Sequence, residues 1–109
     1  MAETRRVLGQ SSPLATTLTA IYTVPGATQA VVSTISVCNR SAVAATFRVS
    51  VAVAGAADAT NQYIYYDLPL FGNDTFVATV GIALGAGDVI RGYASSADLT
   101  FNVFGVQLT

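Results

Sequence analysis

"ATFRVSVAV", residues 45–53, decides how this chain is to be read. Phe47, Val49, Val51 and Val53 occupy every second position, and Thr46, Arg48, Ser50 and Ala52 fill the gaps. That is the period of a β-strand with one face on a core, not the three- and four-residue spacing of a helix. The same period recurs on both sides. Downstream, "QYIYYDLPL" (62–70) puts Tyr63 and Tyr65 on one face and Ile64, Tyr66 and Leu68 on the other. Pro69 has no N–H for a ladder, so it marks a strand end or an edge. "TFVATVGIAL" (75–84) sets Phe76, Ala78, Val80, Ile82 and Leu84 on one side and Gly81 on the opposite one. After "VIRGYAS" comes "LTFNVFGVQL" (99–108), where the apolar set runs Leu99, Phe101, Val103 and then Phe104, Val106, Leu108. Such a change of phase predicts a β-bulge or sharp twist near Val103–Gly105.

Upstream, "AVVSTISVCN" (30–39) alternates Val31, Ser33, Ile35 and Val37 against Val32, Thr34, Ser36 and Cys38. Before it, "LTAIYTV" stops at "PGAT", where Pro25 and Gly26 suit the central positions of a type II turn, with positive φ at the glycine. "NRSAVA", "AGAADATN", "FGND", "GAGD" and "SSAD" separate the remaining strands. Seven to eight short strands at roughly 8 to 14 residue spacing predict an all-β protein, an antiparallel two-sheet β-sandwich of Greek-key or jelly-roll type. An up-and-down barrel is the second architecture. Residues 1–14 have no sustained period and end in "SSP", which predicts an extended N-terminal arm, with the single sandwich domain over 15–109.

At 109 residues the chain suits one core. Hydrophobic residues make up 52% and charged residues 10%, against roughly 25% in ordinary domains. The surface must therefore be built from Ser, Thr, Asn, Ala and Gly, which points to a subunit that associates with copies of itself or with other proteins. A net charge of −1, no Lys and scattered arginines give no footprint for nucleic acid. No apolar run approaches the ~20 residues of a spanning helix, and "MAETRRVLGQ" lacks the apolar core of a secretion signal. Neither nucleic acid nor membrane is an expected partner, and the expected compartment is the cytoplasm.

The chemical inventory is thin. Without His or Lys the common proton shuttle, the imidazole ligand and the usual bases for a serine or cysteine nucleophile are missing. No enzymatic activity and no cofactor are expected. Cys38 stands alone in a strand pattern and reads as a small buried hydrophobe. Asp58, Asp67, Asp74, Asp88 and Asp98 lie mostly at strand ends, but their spacing fits no calcium loop, and Asp is a natural turn former. "NRS" (39–41) and "NDT" (73–75) read as turns rather than glycosylation sites. Candidate interface residues are the amphipathic rings of Tyr63, Tyr65 and Tyr66, with Arg5, Arg6 and Leu8 of the arm.

"YTVPG" (22–26), "VCNRS" (37–41), "YYDLP" (65–69) and "NDTF" (73–76), within a likeness running from Leu8 to the C-terminal strand, make the chain resemble small proteins encoded by tailed bacteriophages, cyanophages among them. The resemblance implies a non-enzymatic structural protein of the virion, assembled in the host cytoplasm, and carries no site residues. The leading expectation is a capsid decoration or cement protein, a closed homo-oligomer with a trimer favoured, whose arm reaches over the major capsid protein. Removing residues 1–12 is then expected to leave the sandwich folded and abolish assembly. The alternatives are a tail, baseplate or fibre-attachment module, and a host-glycan binder using its tyrosines.

Overall fold

The computed structural model describes residues 2–109; Met1 lies outside the described residues. It contains eight strands, β1 (Glu3–Ser11), β2 (Thr19–Thr23), β3 (Gln29–Asn39), β4 (Ala45–Ala52), β5 (Tyr63–Leu70), β6 (Thr75–Leu84), β7 (Val89–Ala94) and β8 (Leu99–Leu108). Single 3-10 turns at Val53–Gly55 and Thr60–Gln62 interrupt the connection between β4 and β5. The strands form two four-stranded antiparallel sheets, in the orders β1-β8-β3-β6 and β2-β7-β4-β5. Every connection passes from one sheet to the other except that between β4 and β5, which are neighbours. The protein is a two-sheet β-sandwich, as the alternation predicts.

Its core is the apolar half of each alternation. Ile35 and Val37 of β3, Phe47 and Val49 of β4, Ile90 of β7, and Leu99, Phe101 and Val103 of β8 are fully buried between the sheets. Phe47 is the hub. Its ring centroid lies 5.3 Å from that of Phe76, 6.1 Å from Phe101 and 6.3 Å from Tyr65, so one residue of β4 touches aromatic rings from both sheets. Tilted and edge-on rings at this separation add to the burial itself. Gly92 is small because a Cβ there would stand 2.7 Å from Ile21 Cδ1 and 3.2 Å from Phe101.

The residues expected to form an arm are part of the sheet. Residues 3–11 are β1, paired with β8 from Glu3–Leu108 to Ser11–Phe101. Leu8 packs on the core, and Ala2 and Thr109 exchange backbone hydrogen bonds of 2.7 and 2.8 Å. Residues 3–11 are thus a strand of the sandwich and not a free arm, and removing residues 1–12 would take away one edge of the sheet. Sequence period failed here because β1 is an edge strand whose outward residues are polar or charged and whose phase is broken at Leu8.

The phase change in "LTFNVFGVQL" also resolves differently. β8 itself alternates without interruption, with Leu99, Phe101, Val103 and Gly105 buried. The extra residues are on its two neighbours. Leu8 of β1 falls between the Val7–Phe104 and Gly9–Val103 pairs, and Ser33 of β3 falls between Val32–Gly105 and Thr34–Phe104. β6 carries the break onward at Val80 and Gly81, opposite Ser33. A row of bulges thus crosses the sheet and bends it. Gly105 sits on that row, where a Cβ would meet the Val31 carbonyl oxygen and Leu8 Cδ1. Ser33 Oγ donates to the Phe104 carbonyl at 3.2 Å.

The Ser33 bulge changes which β3 residues are inside. Val32 is buried and Val31 exposed, the reverse of the phase that Ile35 and Val37 predict. Cys38 is half-exposed on the outer face, not buried. Val53, expected in the core, is 68% exposed because β4 has already ended in a 3-10 turn. In the "PGAT" turn the positive φ belongs to Ala27 (54°) and not to Gly26.

Candidate interaction surfaces

The sandwich presents two outer faces of opposite character. On the β2-β7-β4-β5 sheet, Arg48 of β4 stands beside Tyr93 of β7, its register partner. On its other side β5 bulges, since Phe47 pairs with Leu68 and Val49 with Tyr65, leaving Tyr66 and Asp67 as extra residues. Asp67 takes φ of 51°, and this turns its carboxylate onto Arg48. Arg48 Nε donates to Asp67 Oδ1 at 2.6 Å and a terminal nitrogen donates to Oδ2 at 3.2 Å. The guanidinium lies 4.1 Å from the Tyr66 ring centroid and 4.3 Å from that of Tyr93, between two aromatic faces. The Asp67 hydrogen bonds hold the Arg48 pKa above the ordinary arginine value, with the Asp67 charge adding to them. Tyr63 stands perpendicular to Tyr66 with ring centroids 5.0 Å apart. Its own pKa is raised, first by burial and then by Asp58.

The same face fastens its own loop. Arg91 donates from its two terminal nitrogens to the carbonyls of Ala56 (2.9 Å) and Gly55 (3.3 Å). Asp88 accepts from the Ala54 and Gly85 N–H groups at 2.9 and 2.8 Å, which keeps its pKa below the usual carboxylate range. The charged groups of this face are thus engaged within the chain, and its carboxylates serve turns and an ion pair.

On the opposite sheet, β8, β3 and β6 are adjacent and contain no charged residue at all. Their outward residues lie side by side in rows: Phe104, Thr34 and Thr79; Asn102, Ser36 and Val77; Thr100, Cys38 and Thr75. The charged residues within this sheet's strands are on the β1 edge, at Glu3, Arg5 and Arg6, and Arg40, from the β3–β4 connection, reaches the end of the face to donate to Thr100 Oγ1 at 2.9 Å. Gln10 donates to Asn102 at 2.8 Å and Ser12 meets Thr100 at 3.2 Å, so even the polar groups of the face are partly paired with one another.

The six candidate interface residues do not form one patch. Arg5, Arg6 and Leu8 are on β1, an edge of one sheet; Tyr63, Tyr65 and Tyr66 are on β5, an edge of the other. Arg5 is exposed beside Glu3 at 3.4 Å, and Leu8 turns inward. Tyr65 is a core ring, 5.1 Å from Phe76, whereas Tyr66 is 59% exposed. Sequence reasoning missed Arg48 and Tyr93 as Tyr66's partners; an arginine in the middle of the cleanest strand was the available signal, but naming Tyr93 requires the register.

Asn39 was also underestimated. Only 1% exposed, it donates through Nδ2 to the carbonyls of Val43, Leu70 and Phe71 and accepts from Ser41 N–H, tying three strand ends together. Surface depressions of about 290, 300 and 380 Å³ are lined by no titratable side chain. Among the described residues no group of three His, Cys, Asp or Glu is placed to hold a metal, and no helix is long and apolar enough to cross a membrane.

No protein-family model matches the chain, and no curated protein matches it. Solved structures similar to it include two of a pentameric capsid protein isolated from metagenomic phage sequences. One is 19% and the other 18% identical, each matched over 93% of this chain with a TM-score of 0.35. The chain spans 58% and 63% of the length of those two proteins. A likeness at this level does not extend to function.

Proposed function

We propose that this chain is a non-enzymatic structural subunit of a tailed-phage virion, and that it works as a capsid decoration or cement protein, oligomerising on the shell and stabilising it. The observation that carries the reading is the uncharged outer face of β8, β3 and β6. Packing the strands of such a face against another protein takes no charged strand residue out of water, so the largest cost that normally protects a surface from association is reduced to that of desolvating hydroxyls and amides. The strand order β1-β8-β3-β6 over β2-β7-β4-β5 is one we read as a jelly roll, an architecture found in viral capsids among other proteins. Fold alone does not fix function. The resemblance of "YTVPG", "VCNRS", "YYDLP" and "NDTF" to small phage proteins supplies the class.

Because residues 3–11 are built into the sheet, the contacts with the major capsid protein run through faces and edges instead of a free arm. Many small contacts on a multivalent shell add through effective concentration. A trimer remains the symmetry proposed for the closed assembly on the shell, which leaves separate two-fold contacts between copies available. The glycan reading loses ground, since one side of Tyr66 carries the Arg48 guanidinium and Tyr63 stands against it.

The test is the copy number of the chain per purified virion, by quantitative mass spectrometry against the major capsid protein. A ratio near one, or near one to three, supports decoration of the shell. A few copies would assign the chain to the tail or baseplate, and absence from particles would overturn the virion role.

A further inference from the structure

A sandwich has four sheet edges, and here three of them are blunted. β1 carries Glu3, Arg5 and Arg6 and bulges at Leu8. β2 has only five residues and its register shifts at Ile21. β5 contains Pro69, a positive φ at Asp67 and two register shifts. Each of these devices is what keeps an edge from pairing with another chain. β6 has none of them at its start: it is ten residues long, without charge, proline or positive φ, and its pairing with β3 is regular from Thr75 to Thr79. In the middle of that regular stretch Val77 is 61% exposed.

We propose that the β6 edge is an interface with a second copy of this chain, the two β6 strands pairing antiparallel about a two-fold axis at Val77. Antiparallel pairing about that centre places Val77 opposite Val77 of the partner subunit and Thr75 opposite Thr79, with outward residues meeting outward residues on both copies. The occupant is argued from complementarity. A neutral strand flanked by neutral face gives a like strand no charge to desolvate or repel, whereas a charged partner would find no counter-ion on β3, β6 or β8. The contact buries an exposed valine on its own twin, satisfies the outward backbone groups of the edge, and is isologous, as a two-fold requires. It joins the uncharged faces of two copies into one surface twice as wide, which extends the proposed shell contact but does not depend on it.

The experiment is sedimentation velocity and equilibrium of the full chain up to about 100 μM, far above the Kd expected of a specific dimer. Wild type should form dimers, or assemblies containing them, and Val77→Lys should weaken the association about tenfold or more by setting two ammonium groups opposite each other. Circular dichroism checks that the variant is folded, as its exposed position predicts. In a Cys38→Ser background, Val77→Cys should cross-link between copies under mild oxidation while Val7→Cys on the β1 edge should not. A wild-type chain that stays monomeric, or an association that Val77→Lys leaves unchanged, overturns the β6 interface. Neither result bears on the copy number in virions, which tests the functional reading separately.

Discussion

The two outer faces are made from the same low-charge composition and arrive at opposite surfaces. On β2-β7-β4-β5 the charges sit in the middle of the face, and each has work inside the chain: Arg48 binds Asp67 between two tyrosines, and Arg91 and Asp88 hold the β4–β5 connection. On β1-β8-β3-β6 the charges are moved to one edge and three adjacent strands have none. The first face is finished by its own loop and side chains; the second is bent by its row of bulges and uncharged along three adjacent strands, with the Arg40 guanidinium reaching it only at Thr100. Association fits the second face better: a face that has consumed its polar groups internally offers little to a partner, whereas an uncharged face loses little by being covered.

The bend across the bare sheet can be broken by one atom. Gly105→Ala pushes a Cβ into the Val31 carbonyl oxygen, a backbone atom that cannot swing aside, and should destabilise the protein by about 3 kcal/mol or more in denaturant unfolding. Gly81→Ala, on the same row of bulges but with nothing within 4 Å of the added carbon, should be neutral or stabilise by about 0.5 kcal/mol. Equal losses at the two glycines would contradict the account of the bend.

Asn39 joins the two faces at one end, and its replacement is the next largest effect. Asn39→Leu leaves the Leu70 and Phe71 carbonyls and the Ser41 N–H without their partner and should cost about 2 kcal/mol. On the finished face, Arg91→Ala should cost about 1 kcal/mol and speed limited proteolysis between residues 53 and 62, because two loop carbonyls lose a charged donor. The bare face should be unaffected.

Asp88 gives the same comparison in pH. Its folded pKa is lowered by two backbone N–H groups, so the stability it contributes is present above the unfolded value of about 4 and is lost as pH falls through the folded value. Asp88→Asn should therefore flatten the stability profile below about pH 4 and leave the rest of the curve parallel to wild type. The smallest effect is at Ala27, held at φ of 54°: Ala27→Gly should raise stability by a few tenths of a kcal/mol, about 0.5, in thermal unfolding.

Legibility in the sequence followed the same physical division. β6, β8 and β4 as far as Val49 were readable because each has one face inside and one outside, which alternation reports directly; beyond the register shift at Val49 the β4 phase breaks, and Ser50, expected outside, is fully buried. β1 was not, since an edge strand with charges outside and a bulge at Leu8 has no sustained period. The bulges are only half readable: the apolar run at Val103 and Phe104 points to the right place along the sheet, but a bulge is a property of a pair of strands, and the extra residues are Leu8 and Ser33 while β8 itself alternates unbroken. The Arg48 cluster depends on register across three strands, so Tyr93 was invisible. Asn39 looked like a turn residue because its chemistry is that of a turn; its burial is tertiary.

In the proposed virion role, association runs through the uncharged face of β8, β3 and β6. The direct measurement of that proposal is binding of Ser36→Lys and Thr46→Lys variants to purified phage particles from which any native copies have been removed, each variant first checked for wild-type circular dichroism and melting. Ser36 lies at the centre of the uncharged rows and Thr46 on the outer side of β4. Loss of binding for Ser36→Lys with Thr46→Lys retained is the predicted result. Retained binding for Ser36→Lys, with or without loss for Thr46→Lys, would contradict it.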